Sequence, residues 1–104
     1  MANIKLWVDD IRPAPSGYIW CAKTLDAIKY IQYTLSSKNG RKIEVLDLDH
    51  DAGDYAKFGG DYIKILDWME EHGVGNIPVR IHSQNAVGVE NMRRIIEHNG
   101  WEEI

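Results

Sequence analysis

The sequence predicts an α/β domain with a mostly parallel, four-stranded sheet between helices, three layers in all. Three observations carry this. The 104 residues suffice for one core and not for two, so residues 1–104 read as a single domain. Short β-rich apolar runs alternate with helical stripes of 11 or more residues, and such alternation implies right-handed crossovers with helices on both sheet faces. The composition, 44% hydrophobic and 27% charged, is that of a folded globule.

The elements follow in order. Ile4-Lys5-Leu6-Trp7-Val8 is a buried strand ending abruptly in Asp9-Asp10. Pro13 and Pro15 exclude a helix interior, so 12–17 is a loop. A second strand spans 18–22. Thr24 then caps a helix whose apolar positions Leu25, Ile28, Ile31 and Leu35 recur at helical spacing, fading over 36–40. Residues 43–48 form a third strand, followed by the polar loop 49–54 and a turn at Gly59-Gly60. From Asp61, the stripe Tyr62, Ile65, Leu66 and Met69 predicts a helix stopped at His72-Gly73. A fourth strand spans 78–82. Ser83-Gln84-Asn85 leads into a last helix with Val89, Met92, Ile95 and Ile96, ending at Asn99-Gly100. The fourth strand is left as an open edge that something must cover, and Trp101 is expected to do so. Trp7, Trp20 and Trp68 read as packing residues.

Charge and composition exclude several functions. A net charge of −4 argues against strong nonspecific nucleic-acid binding. The apolar runs are too short to span a membrane, and no signal-peptide pattern opens the chain, so the cytoplasm is the expected compartment. Cys21 stands alone, without a partner for a disulfide or zinc knuckle, and reads as a small buried residue.

Parallel sheets bind ligands beyond the carboxyl ends of their strands, and the polar residues gather there. The first strand delivers Asp9 and Asp10, the third Asp47, Asp49, His50 and Asp51, the fourth His82, Ser83 and Asn85. If the third strand stays extended, Asp47, Asp49 and Asp51 share one side and His50 the other; whether Asp47 or Asp49 ends it stays open. Carboxylates so crowded must protonate or hold a cation, and the cation is favoured. Oxygen donors suit magnesium or manganese, while the histidines leave room for zinc or iron. Arg12, two positions past the acidic pair, is placed to grip a phosphate. His72 and His98 are explained by helix C-termini, and Arg93-Arg94 by a solvated helix face.

The motifs Trp7-Val8-Asp9-Asp10-Ile11-Arg12-Pro13, Leu48-Asp49-His50-Asp51 and Ile81-His82-Ser83-Gln84-Asn85 resemble the cyclic-phosphate-processing receiver domains, relatives of response-regulator receivers predicted to act in RNA repair. The likeness runs from about residue 4 to residue 99. It implies a truncated flavodoxin-like sheet of order 2-1-3-4, with the acidic pair and Asp49 where receivers place a divalent metal and a phosphoryl group. The chain departs from signalling receivers in its proline loop after the first strand, in lacking a fifth strand with its lysine, and in having His50 and His82. These departures favour hydrolysis over phosphorelay.

The expected function is metal-dependent opening of a cyclic phosphate on a small phosphorylated molecule or an RNA terminus. Asp9, Asp10 and Asp49 hold the ion, with Asp51 as a further ligand; His82 and His50 act as base and acid; Arg12, Ser83 and Asn85 orient the phosphate. Asp49 is alternatively a nucleophile. The rival is a receiver-type phosphoacceptor or metal-binding interaction module without turnover. Oligomeric state is left open.

Overall fold

The computed structural model describes residues 3–36 and 40–104. Four parallel strands, β1 (Ile4–Val8), β2 (Ile19–Cys21), β3 (Ile43–Leu48) and β4 (Val79–Ile81), lie in the order β2-β1-β3-β4. Helices α1 (Thr24–Ser36), α2 (Ile63–Glu71) and α3 (Ala86–Asn99) complete the receiver-like α/β architecture. The expected strand order and sense are those observed. β2 and β4 are each one residue shorter at both ends than expected, and α2 starts two residues later. The expected fading of the first helix falls partly on 37–39, outside the described residues.

The layering departs from expectation. Ile4, Leu6, Val8, Leu46, Leu48 and Val79 share one core with Ala27 and Ile31 of α1, Ile65, Leu66 and Met69 of α2, and Met92 and Ile96 of α3. All three helices therefore cover one sheet face, with α2 between α1 and α3. Handedness explains this: the steps from β2 to β3 and from β3 to β4 run in one direction across the sheet, so right-handed crossovers put their helices on the same side. Only the step from β1 to β2 runs the other way, and Pro13 and Pro15 leave it as a loop. Among the described residues the opposite face has no helix, so the molecule has two layers rather than three. β1 records this locally: Ile4, Leu6 and Val8 are buried while Lys5 and Trp7 are half-buried. Truncating Leu6, fully buried beneath the helices, to Ala costs about 2–5 kcal/mol.

The inward face of α1 is rotated from the expected stripe. Thr24, Ala27, Ile31 and Thr34 are buried, whereas Leu25 and Leu35 are exposed. Two threonines can face inward because their hydroxyls are satisfied. Thr24 Oγ1 donates to the Gly60 carbonyl at 2.9 Å, so it ties α1 to the loop before α2 instead of capping its own helix; Thr34 Oγ1 donates to the Tyr30 carbonyl at 2.8 Å. The β4 edge is covered by the residues after Trp101: Val79 N donates to Glu102 O and Ile104 N to Val79 O, both at 2.9 Å. Trp101 packs on the core, and Arg93, expected to be solvated, holds this segment through Glu103 at 2.9 Å. No described helix is long and apolar enough to cross a membrane.

Candidate functional site

The turn after β1 is built by Asp9. Its Oδ1 accepts the backbone amides of Ile11 and Arg12, both at 2.9 Å, which reverses the chain directly after the strand. Its Oδ2 meets Arg12 Nε at 3.1 Å and His82 Nε2 at 3.0 Å. Burial pushes the Asp9 carboxyl up, but these amides, His82 and the Arg12 guanidinium outweigh it and hold it below its ordinary value of 3.8.

His82 is fixed from three directions. Nδ1 lies 2.6 Å from Asp47 Oδ1, Nε2 faces Asp9, and the ring stacks on Trp7 with centroids 3.8 Å apart and planes 4° apart. With a carboxylate oxygen against each nitrogen, both can donate only in the imidazolium form. Asp47 is 2% exposed and lies 3.9 Å from Arg80 Nη1. Strand register creates this arrangement, since Trp7, Asp47 and Arg80 lie side by side across β1, β3 and β4. Trp7 donates Nε1–H to the Arg12 carbonyl at 2.9 Å and is a platform for His82, not a core residue. Trp20 is also outside the core: it is 46% exposed, with Nε1–H on the Asp9 carbonyl at 2.7 Å.

β3 ends at Leu48, and Asp49 N continues the ladder to Val8 O at 2.9 Å. One oxygen from each of Asp9, Asp10 and Asp49 lies within 4.8 Å of the others. Burial raises the Asp10 carboxyl above 3.8, and the charges of Asp9, Asp49 and Asp51 add to this, against the pull of its own amide. Arg12 spans the group, its Nη2 3.7 Å from Asp49 Oδ2. The donor set fits a hard divalent cation. Asp10 and Asp49 offer the more open oxygens, while Asp9 reaches an ion only by exchanging Arg12 or His82, because its oxygens already hold four donors. Gly53 allows the approach: its φ is +54°, and a Cβ there would overlap the Asp10 carboxylate.

The remaining expected site residues form a second group. His50 Nδ1 lies 2.7 Å from Asp51 Oδ1, and Asn85 Nδ2 donates to the same oxygen at 3.3 Å. Hydrogen bonding from His50 is the main cause that lowers the Asp51 carboxyl, with help from Asn85 against slight burial. Asn85 also caps α3, its Oδ1 accepting Gly88 N at 3.0 Å, and Ser83 Oγ accepts Asn85 N at 3.1 Å. A Cβ on Gly88 would overlap the His50 ring, so this glycine lets imidazole and helix meet. Asp61, not singled out from sequence, accepts Ala52 N at 3.0 Å and joins His50 and Asp51 in a second potential ligand group. Asp51 does not join the other two: Asp47 meets His82 and Asp49 meets Arg12, the two groups that hold Asp9 Oδ2, whereas Asp51 pairs with His50, expected on the other side. The reason is that β3 ends at Leu48, with Asp49 N its last ladder donor.

The family model that describes the Cyclic-phosphate processing Receiver domain matches residues 4–98. The chain belongs to this family. Comparison with curated proteins and with solved structures returns no significant match. In this receiver domain the acidic group, Arg12 and His82 stand together at the carboxyl edge of β1, β3 and β4, the edge where open parallel sheets bind ligands.

Proposed function

We propose that this receiver domain is a metal-dependent phosphoesterase that opens a cyclic phosphodiester, the 2′,3′-cyclic phosphate of a nucleotide or RNA end. The observation that supports it most is Arg12, 46% exposed in its side chain yet held between Asp9 and Asp49, so that its guanidinium meets a phosphate beside the carboxylates. Asp10, Asp49 and Asp9 would hold a divalent ion, which would supply charge neutralisation and lower the pKa of a water there. Arg12 turns from Asp49 to the nonbridging oxygens and orients the ring for in-line attack. His82, positioned by Asp47 and Trp7, keeps Nδ1–H on Asp47 and, as the neutral imidazole, takes the attacking water's proton at Nε2 once Asp9 Oδ2 releases that nitrogen. His50, with Nδ1 held by Asp51, carries the leaving-group proton on Nε2; such help is commonly worth about 10²–10⁴-fold. Ser83 and Asn85, joined at the start of α3 with Asn85 Nδ2 on Asp51 beside His50, orient the phosphate from that side.

The test is turnover of a 2′,3′-cyclic nucleotide with Mn²⁺, alongside incubation with a small phosphodonor. Opening that is lost in Asp49→Asn supports the esterase. A stable, alkali-labile adduct on Asp49 without turnover points to the phosphoacceptor module instead.

A further inference from the structure

All-parallel sheets are almost always covered on both faces. Here one face has no helix, and its side chains are not generic. In register across it lie Trp20, Trp7, Asp47 and Arg80. Tyr18 meets Trp7 edge-on at 6.1 Å, and Lys5 Nζ lies 5.6 Å above the Tyr18 ring. Trp7, Trp20 and Tyr18 take no part in the helix-side core. The acid of the row, Asp47, is buried against His82 and Arg80, and Lys5 and the half-exposed Arg80 place two cations on the strands that carry these rings, although the chain as a whole carries −4. The face runs directly into the strand-tip site: the Trp20 indole is pinned to the Asp9 carbonyl, its N–H engaged and its ring accessible.

We propose that this open face is a track for single-stranded RNA whose 3′ end delivers its cyclic phosphate to Arg12, a reading that rests on the proposed function and narrows its substrate to a polynucleotide end. Trp20 stacks a base, and Lys5 and Arg80 meet backbone phosphates; stacking platforms with flanking cations are the usual means of holding single strands. From β2 to β4 the row spans about 14 Å at the spacing of paired strands, the length of about four nucleotides at a rise of 3.4 Å. A helix of a protein partner suits the face less well. It needs several apolar anchors, whereas exposed Leu25, Tyr33 and Leu35 lie on α1, across the sheet.

The experiment measures binding, with Mn²⁺ present, of an RNA octamer ending in a 2′,3′-cyclic phosphate and of the 2′,3′-cyclic mononucleotide, together with turnover of each. The octamer is expected to bind at least about tenfold tighter. Trp20→Ala lowers octamer affinity by about 5- to 150-fold, the worth of one stacked base, and Trp20→Phe restores most of it. The double variant Lys5→Ala, Arg80→Ala reduces the salt slope by about 1.4, two phosphates at 0.7 each. Tyr33→Ala, on the helix side, serves as the control. The proposal is overturned if the octamer gains nothing over the mononucleotide, if Trp20→Ala weakens both ligands equally, or if sedimentation shows the wild type pairing through this face and Trp20→Ala dispersing it. Tight octamer binding without opening of either ligand upholds the track and ends the esterase reading; opening of the mononucleotide with no octamer advantage does the reverse.

Discussion

Asp10→Asn separates the cost of the acidic group from its use. One oxygen of Asp10 lies within 4.8 Å of oxygens on Asp9 and Asp49. At that distance each like-charge pair is worth about 1 kcal/mol at the dielectric of water and about 3.5 kcal/mol at an effective value of 20. Asp10 is half-buried and Asp9 is compensated by Arg12 and His82, so the lower end applies, about 1–2 kcal/mol in total. In EDTA at pH 7 the variant should melt at least about 4 °C higher than the wild type. The burden exists only while Asp10 is ionised. Its folded-state pKa is raised, so the penalty is complete above that value and gone below the ordinary 3.8, and the two melting curves should converge as pH falls through this window. With Mn²⁺ at about a hundred times its Kd, the wild type should gain about 2.7 kcal/mol and overtake the variant, whose response should be small. Scanning calorimetry with and without metal reads both effects. A variant that melts lower in EDTA and responds to Mn²⁺ like the wild type would refute the reasoning.

Three further outcomes are expected. Asp47→Ala leaves His82 without its 2.6 Å partner and should destabilise by about 3 kcal/mol in urea titrations, the scale of a broken buried pair; a loss below 0.5 kcal/mol would remove Asp47 from the account. Asp9 has a folded-state pKa below 3.8, so its contribution to stability is complete above 3.8 and lost as pH falls through the lower folded value; Asp9→Asn should therefore flatten the acid limb of the stability curve. Cys21 is 2% exposed and its thiol is pushed up to about 12 by burial and then by Asp26, so iodoacetamide at pH 8 should label it only at the rate of unfolding.

Sequence and structure agree best where one local signal dominates. β1 and β3 were legible because apolar runs ended sharply in acids, and the loop at 12–17 because two prolines forbid a helix. The same prolines removed the third layer, a consequence that needs crossover handedness and strand order together. Lys5 was the local hint, since a doubly covered strand seldom carries lysine at its centre. The phase of α1 was hidden because counting apolar residues selects Leu25 and Leu35, while the turned-in face uses Thr24 and Thr34 with satisfied hydroxyls. Asp9, Asp10, Asp49 and Arg12 stand out in the sequence by their position at strand ends, and the structure brings these four together. Asp47 is visible in the sequence but its role is not: a carboxylate inside Val45-Leu46-Asp47-Leu48 must find a partner when buried, yet its partner His82 lies 35 residues away and comes into view only once β3 and β4 pair. The size of Trp7 and Trp20 points to packing, and only the open face shows them beside the site.

The chemistry at the strand tips is most directly tested by following a 2′,3′-cyclic nucleotide by ³¹P NMR with Mn²⁺ and the wild type, Arg12→Ala or Asp49→Asn. The expected record is conversion of the cyclic diester signal to a monoester, at least about a hundredfold slower with Asp49→Asn, and with a raised KM for Arg12→Ala. A cyclic signal that persists with the wild type, or decays equally fast with Asp49→Asn, would contradict the assignment of this carboxylate edge to cyclic-phosphate opening.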